Sequence, residues 1–272
     1  MLERWLLAST ARTISAMRVA AVQHDIIWND RNANFARLAP MVASAVAGGA
    51  QLVLLSETFS TGFAVDTPDL GEPEGGPSSQ FLQAQAERHG VWVCGSCPEV
   101  PADSDPADTR PANSFVLAGP HGQVHRYRKI HPFTFAGEDR FFRAGSELVQ
   151  VEIEGVRVSP FVCYDLRFAD EFWGLAPTTD LYLVPANWPE PRRQHWMALL
   201  QARAIENQAY VVGCNRVGEG GGLKYVGDSR IVDPLGELLA TGSQGETILF
   251  ADIEPATVAA VRDRFRFLPD RR

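Results

Sequence analysis

The sequence lacks an excess of basic residues and has no long apolar run. Of its 272 residues, 25 are Lys or Arg and 33 are Asp or Glu, which gives a formal net charge of −8. Proteins that bind nucleic acids usually carry a basic face, so this balance argues against a nucleic-acid partner. No segment approaches the roughly 20 apolar residues that span a bilayer as a helix, so we expect no membrane association.

Cysteine is scarce: the chain contains Cys94, Cys97, Cys163 and Cys214. The apolar patch within residues 1–16 is too short for the h-region of a secretory signal, and we interpret 1–16 as an N-terminal extension. We therefore expect a cytoplasmic protein whose thiols are reduced.

Redox, metal and phosphate motifs are incomplete. Cys94 and Cys97 have C-x-x-C spacing, but Pro98 follows them, whereas a thioredoxin-type motif opens a helix. We interpret this pair as packing cysteines. No second C-x-x-C accompanies it, so we predict no metal site. The segment 218–222 (GEGGG) lacks the Walker lysine pattern and is interpreted as a flexible turn.

Hydrophobic periodicity predicts strands that alternate with helices in the first half of the chain and hairpins in the second. We find no internal repeat and no linker that divides two cores, so we expect one mixed α/β domain over 17–272. The predicted strands are 17–23, 51–55, 91–94, 114–118, 123–128, 147–153, 156–162, 181–184, 210–214, 226–232, 237–240 and 247–252, and the predicted helices are 32–47, 78–89 (capped by Ser78 or Ser79), 192–208 and 255–265.

Cys163 is the first candidate for chemistry. It follows the apolar run 156–162 and precedes a polar segment that is typical of a helix start. A thiol at such a turn is exposed at the sheet edge, and a helix N-terminus lowers its pKa. The N–H group of Tyr164 would be free to face a developing oxyanion. A buried structural cysteine, the commonest role of a free thiol, explains the segment equally well.

Glu57 and Lys129 are candidates because each also follows a predicted strand. Glu57 ends the run QLVLLSE, at the sheet edge where ligands bind in open α/β sheets, and a buried carboxylate suits a general acid or base. Lys129 lies among aromatic residues and can direct its ammonium at an oxyanion. Taken singly, a turn glutamate and a solvated lysine are the better interpretations. Together with Cys163, however, they place chemically active side chains at three predicted strand ends, which indicates one shared site.

The motifs around these residues resemble those of the nitrilase superfamily of carbon–nitrogen hydrolases. Glu57 stands in LLSETFSTGF, Lys129 in YRKIHPF and Cys163 in FVCYDLRF. PANWP at 185–189 and the segments 195–218 and 227–237 extend the resemblance over nearly the whole chain from Met17 onward. The pattern is most similar to the ω-amidase-like branch, whose members hydrolyse the terminal amides of α-keto dicarboxylic acid monoamides.

The resemblance implies a fold, a triad and an assembly. The fold would be a four-layer α-β-β-α sandwich, and the catalytic triad would be Glu57, Lys129 and Cys163. A second glutamate would position the substrate and Lys129, and Glu138 in FAGEDRFFRAG is the candidate. Members of the superfamily need no metal or organic cofactor and usually form dimers or larger assemblies, so we expect no cofactor and a homodimer or larger homo-oligomer.

The implied substrate is a small amide. Tyr164 and Trp188, which follow strand ends near the expected site, are candidates for the pocket wall. A terminal carboxylate on the substrate would call for an arginine, and Arg167 and Arg192 are both candidates.

Alternatives remain open on the sequence. The same triad would also suit an N-carbamoyl compound or a nitrile. A papain-type pair of Cys163 with His131 or His195 is a different mechanism, although neither histidine lies in a matching motif. A catalytically inactive binding protein is the third alternative, and the intact triad argues against it.

Overall fold

The computed structural model describes residues 16–67, 69–105 and 107–271. The predicted extension over 1–16 lies outside these residues, apart from Ala16. Within the described ranges, two sheets of seven strands each account for all the strands. None of the helices in these ranges is long and apolar enough to cross a membrane.

The elements alternate as predicted, with hairpins concentrated later in the chain. The strands are β1 (Met17–Gln23), β2 (Leu52–Leu54), β3 (Glu72–Pro73), β4 (Trp92–Val100), β5 (Ala112–Ala118), β6 (Val124–Arg128), β7 (Val151–Ile153), β8 (Val156–Pro160), β9 (Leu181–Ala186), β10 (Tyr210–Asn215), β11 (Val217–Gly220), β12 (Leu223–Val232), β13 (Leu238–Ser243) and β14 (Thr247–Ile253). The helices are α1 (Arg31–Ala47), α2 (Pro77–His89), α3 (Glu138–Phe141), α4 (Ala169–Leu175), α5 (Arg193–Asn207) and α6 (Pro255–Arg264).

The two sheets have related strand orders. The first runs β14-β1-β2-β4-β5-β6 with β3 beside β4, and the second runs β11-β12-β10-β9-β8-β7 with β13 beside β12. The central strands β1, β2 and β4 are parallel, as are β8, β9 and β10. Because β5 is antiparallel to both β4 and β6, the strand β6 runs in the same direction as β2 and β4.

Side chains of the central strands of the first sheet alternate between two core clusters. In β1, Val19 and Ala21 pack in one cluster with residues of the second sheet, such as Leu183. The intervening Ala20 and Val22 pack in another cluster with residues of α1 and α2. This period of two is that of a strand buried on both faces. With α4 and α5 packed on the second sheet, the layers follow the predicted order α-β-β-α, and the fold prediction is confirmed.

Two predictions of local structure are wrong. Ser78 and Ser79 lie inside α2, which begins at Pro77 because the fixed φ of proline suits the first helical position. The carboxylate of Glu72 caps the helix instead, accepting a hydrogen bond from the Ser78 N–H at 2.7 Å. The strand β4 continues past its predicted end at residue 94, because β5 pairs with it as far as Glu99.

The glycine-rich segment 218–222 belongs to a hairpin, and only its residues 221–222 form the turn. Residues 218–220 belong to β11, which pairs antiparallel with β12. A Cβ atom on Gly220 would lie 2.5 Å from Cε3 of Trp28. Glycine therefore allows the hairpin to close against this indole ring.

Candidate active site

The three predicted catalytic residues meet at the carboxyl ends of strands that run in the same direction. Glu57 lies beyond β2, Lys129 directly follows β6, and Cys163 lies beyond β8. Glu57 and Lys129 come from the first sheet and Cys163 from the second, so the site lies at the seam between the sheets. Polar residues at these strand ends are therefore brought together by the topology.

All three side chains contact one cavity, which encloses about 470 Å³ of empty space including its open mouth. Its lining residues are Glu57, Phe63, Lys129, Phe133, Ala136, Cys163, Tyr164, Arg167, Asn187, Trp188, Pro189, Arg192, Leu223 and Tyr225.

Lys129, Glu57 and Glu138 form a buried group, here called the ion cluster. The Lys129 Nζ atom lies 3.0 Å from Glu57 Oε1 and 2.8 Å from Glu138 Oε2. All three side chains are almost completely buried. Burial alone would lower the pKa of Lys129, but the two carboxylates outweigh that effect and raise it above the ordinary value. The ammonium is therefore permanently charged, as a fixed electrostatic donor requires.

Two asparagines orient the Glu57 carboxylate. The Asn113 Nδ2 group donates to Glu57 Oε1 at 2.8 Å and to Glu138 Oε1 at 3.2 Å. From the second sheet, the Asn187 N–H donates to Glu57 Oε2 at 2.8 Å. Hydrogen bonds to a charged acceptor are strong, so the carboxylate is held in one orientation.

Cys163 has a strained backbone and a protonated thiol. It is the first residue of the 3₁₀ helix Cys163–Arg167, and its φ is 45°, in the left-handed region that residues other than glycine rarely adopt. Burial raises the pKa of the thiol well above its ordinary value, and the neighbouring Glu57 carboxylate raises it further, whereas Lys129 lowers it. The expected lowering by a helix N-terminus is wrong, since burial dominates here. The thiol therefore needs a base before it can act as a nucleophile.

Asp165 joins the lysine segment to the cysteine segment. Its Oδ2 atom accepts hydrogen bonds from the Tyr127 hydroxyl at 2.8 Å and the Val162 N–H at 3.0 Å, and its Oδ1 atom accepts one from the His131 N–H at 2.9 Å. Burial raises its pKa to about 6. Asp165 thus fixes the distance between the strand ends that carry Lys129 and Cys163.

Aromatic rings and two arginines form the rest of the lining. The Arg167 guanidinium carbon lies 4.8 Å from the Trp188 ring centroid, and its NH2 group donates to His195 Nδ1 at 3.1 Å. The Arg192 guanidinium carbon lies 5.1 Å from the Phe133 ring centroid. Arg167, Arg192, Tyr164 and Trp188, all proposed from the sequence, therefore contact the cavity. Glu138 does not line it, and its direct contact is with Lys129.

The histidines, the C-x-x-C pair and the predicted absence of a metal site remain to be compared with the structure. His131 Nε2 lies 2.7 Å from Glu171 Oε1, and Arg167 donates to His195. Neither histidine lines the cavity that Cys163 contacts. The C-x-x-C pair is buried within β4 as free thiols. Among the described residues, no three His, Cys, Asp or Glu side chains converge as a metal site, and the absence of a cofactor stays a prediction.

Sequence reasoning missed Asn113, Asp165 and Tyr225. Asn113 and Asp165 act through hydrogen bonds to distant segments, which periodicity does not reveal. Tyr225 enters the cavity from the β11–β12 hairpin, which was not predicted. Asn187 could have been found from the sequence, because it lies shortly after the predicted strand 181–184, within PANWP.

The fold and the site define a carbon–nitrogen hydrolase. The chain belongs to this family, whose profile, described as carbon-nitrogen hydrolase, matches residues 18–263. The chain is similar to the omega-amidase YafV of Escherichia coli (strain K12), with 37% identity over 92% of this chain and 94% of that protein. It is also similar to the 2-oxoglutaramate amidase of Bacillus subtilis (strain 168), with 33% identity over 93% and 96% of the two chains.

Solved structures agree with this assignment. The CN-hydrolase superfamily protein XC1258 from Xanthomonas campestris superposes with a TM-score of 0.87 and 34% identity, over 94% of this chain and 97% of that chain. An amidase from Nesterenkonia sp. superposes with a TM-score of 0.78 and 26% identity, over 93% and 95%. The resemblance to the nitrilase superfamily is thereby confirmed.

Proposed function

We propose that this protein is an ω-amidase, which hydrolyses the terminal amide of a small α-keto dicarboxylic acid monoamide, such as 2-oxoglutaramate, to a carboxylate and ammonia. The observation that carries the proposal is the ion cluster of Glu57, Lys129 and Glu138 beside the Cys163 thiol in one cavity. The relatives named omega-amidase and 2-oxoglutaramate amidase support the choice of substrate.

The first half of the reaction forms a thioester. Glu57 takes the proton of the Cys163 thiol, and the sulfur adds to the amide carbon while the carbonyl electron pair moves onto oxygen. Lys129 and the Tyr164 N–H receive this negative charge. Protonated Glu57 then passes its proton to the amide nitrogen, the carbon–nitrogen bond breaks, and ammonia leaves. Losing one oxyanion donor costs about 3 kcal/mol of barrier, or roughly a hundredfold in rate.

The second half regenerates the enzyme. Glu57 takes a proton from water, and the resulting hydroxide adds to the thioester carbon. The oxyanion collapses, the carbon–sulfur bond breaks, and the Glu57 proton returns to sulfur. Glu138 is a positioning residue in this scheme, because it holds the Lys129 ammonium without contacting the cavity.

We further propose one domain over 17–272 that works in the cytoplasm as a homodimer or larger homo-oligomer without a cofactor. Exposed apolar side chains on the outer layer of the second sheet, among them Trp173, Ile205 and Phe267, support a contact with a second copy. Light scattering at several protein concentrations tests the assembly. A monomer at all concentrations would contradict it.

A substrate panel tests the proposed activity. Purified protein is incubated with 2-oxoglutaramate, an ω-nitrile acid and an N-carbamoyl amino acid, and ammonia release is measured. We expect the highest kcat/KM with 2-oxoglutaramate. The matched control is Cys163→Ala, which should stay folded by circular dichroism and lose turnover. A higher kcat/KM with the nitrile or the carbamoyl compound would contradict the proposal.

A further inference from the structure

Tyr225 carries a hydroxyl that the protein itself does not use. The residue lies in β12, is only 4% exposed and lines the same cavity as Cys163. Within the described ranges, its Oη atom makes no hydrogen bond to another residue. The atom is also not fully buried, so a ligand in the cavity can reach it. A buried hydroxyl usually finds a partner, so a free one in a cavity is suited to a ligand.

Arg216 fixes the ring that carries this hydroxyl. Its guanidinium carbon lies 4.6 Å from the Tyr225 ring centroid, and its side chain is completely buried. The guanidinium is in turn held by Asp25 Oδ1 at 2.8 Å. Burial raises the pKa of Tyr225 to about 12, so the hydroxyl keeps its proton at neutral pH. The phenol is therefore an oriented hydrogen-bond donor.

Arg192 is the charged neighbour of this donor. Arg192 ends the 3₁₀ helix Glu190–Arg192, which packs against β12, the strand that carries Tyr225, and both side chains line the same cavity. Among the described residues, no carboxylate forms an ion pair with Arg192, and its guanidinium lies against the Phe133 ring. Arg167 differs, because His195 and the Trp188 ring already engage it. Among the described residues, the Arg192 guanidinium therefore makes no hydrogen bond, whereas one donor of Arg167 is already used.

The charge of the lining also favours an anion. Three cationic side chains line the cavity, those of Lys129, Arg167 and Arg192. Glu57 is the carboxylate in the lining. With Glu138, which pairs with Lys129 just outside the lining, three cations face two carboxylates, although the whole chain has a formal net charge of −8. Lys129 is neutralised by the ion cluster, so the positive charge left for a ligand comes from the arginines.

We propose that Arg192 and Tyr225 together bind the carboxylate group of the substrate and so make the enzyme selective for amides that carry a negative charge. The guanidinium and the phenol offer donors to both carboxylate oxygens, a charge-assisted arrangement that fixes the orientation of the substrate. This inference rests on the proposed ω-amidase function and adds the residues that select the substrate.

The test compares two substrates of equal chain length. Glutaramate carries a terminal carboxylate, and pentanamide has a methyl group in its place. We expect wild type to prefer glutaramate. Arg192→Gln should lower kcat/KM for glutaramate about 10- to 100-fold, and Tyr225→Phe about 5- to 10-fold, mainly through KM. Both variants should lose clearly less kcat/KM on pentanamide than on glutaramate, because pentanamide has no carboxylate to accept the hydrogen bonds that the variants remove.

Lys224→Gln is the matched control, since Lys224 adjoins Tyr225 on the hairpin but pairs with Glu190 outside the cavity. It should leave both substrates unaffected. An equal loss on both substrates in Arg192→Gln or Tyr225→Phe would indicate a structural role and overturn the inference, as would no loss at all. If wild type itself shows no preference for glutaramate, the proposed function fails, and the inference fails with it.

Discussion

The ion cluster and the opposite part of the lining, here called the aromatic wall (Tyr164, Trp188, Tyr225, Arg167 and Arg192), are held in different ways. Every charged oxygen and nitrogen of the ion cluster has short hydrogen bonds to buried groups. The aromatic wall is held by ring stacking and by guanidinium groups that lie over rings. In the aromatic wall, the Arg192 guanidinium and the Tyr225 hydroxyl make no hydrogen bond to another described residue.

This difference separates two tasks of an enzyme. Charge that develops during a reaction is best stabilised by groups that are already oriented and shielded from water, which describes the ion cluster. A ligand is selected by groups whose hydrogen bonds are unused before it arrives, which describes Arg192 and Tyr225 in the aromatic wall. Variants in the two regions should therefore have effects of different size and kind.

The largest effect is expected in Glu57→Gln. General acid–base catalysis contributes about 10²- to 10⁴-fold, so kcat should fall by at least that range. The pKa of the Cys163 thiol should also fall, because Glu57 raises it and Lys129 lowers it. Thiolate absorbance at 240 nm, measured against the same variant carrying Cys163→Ala, follows this titration. A thiolate that appears only at higher pH than in wild type would contradict the assigned role.

A somewhat smaller loss of rate, together with a loss of stability, is expected in Lys129→Met. Removing one oxyanion donor lowers kcat by about 10²- to 10³-fold. The free energy of unfolding should fall by about 3–5 kcal/mol, because two buried carboxylates lose their cation. Adding Glu138→Gln should recover part of the stability and none of the activity. A double variant no more stable than Lys129→Met would show that buried charge is not the cause.

Asp165 should make stability depend on pH. Its pKa is raised from 3.8 to about 6, so the folded state binds a proton more tightly than the unfolded state between these values. Its contribution to the free energy of unfolding therefore decreases as the pH rises from about 4 to about 6, by up to ~3 kcal/mol, and is constant above. Urea titrations of wild type and Asp165→Asn should show this trend in their difference. If the free energy of unfolding of wild type rose with pH relative to that of Asp165→Asn, the prediction would be contradicted.

The smallest effect is expected in the aromatic wall, for Trp188→Phe. The ring remains apolar, and the lost hydrogen bond from Trp188 Nε1 to the Arg192 carbonyl is worth about 1 kcal/mol. We expect KM to rise roughly two- to fivefold with little change in kcat. Steady-state kinetics and a thermal melt measure both quantities. A fall in kcat as large as that of Lys129→Met would erase the distinction between the two regions.

The sequence predicted the fold and the three residues that meet at the cavity, because their signals are local. Strand β1 was predicted with its observed bounds, since MRVAAVQ is a short apolar run that ends in a polar turn. Glu57, Lys129 and Cys163 were found because each directly follows a strand and stands in a motif of the superfamily. The three residues meet at one cavity because the strands that precede them run in the same direction. The order of the elements along the chain already implies that direction.

What the sequence did not reveal depends on contacts between distant segments. The pKa of Cys163 was predicted in the wrong direction, because burial at the seam between the sheets outweighs the helix terminus. The hairpin at 217–226 was missed because Gly220 and Gly221 are explained by their contact with Trp28, nearly two hundred residues earlier. Asp165 gives no sign of its role in the sequence, since an acidic residue in the first turn of a helix is ordinary.

The position of the site at the seam has a consequence for heat inactivation. Cys163 and Asn187 come from one sheet and Glu57 and Lys129 from the other, and the two sheets share no continuous strand ladder among the described residues. A shift of one sheet along the other by a fraction of a hydrogen-bond length would misalign base, nucleophile and ammonium while leaving each sheet intact. On warming, hydrolysis should therefore stop before the circular dichroism of the strands changes, and an acylated Cys163 should delay that loss.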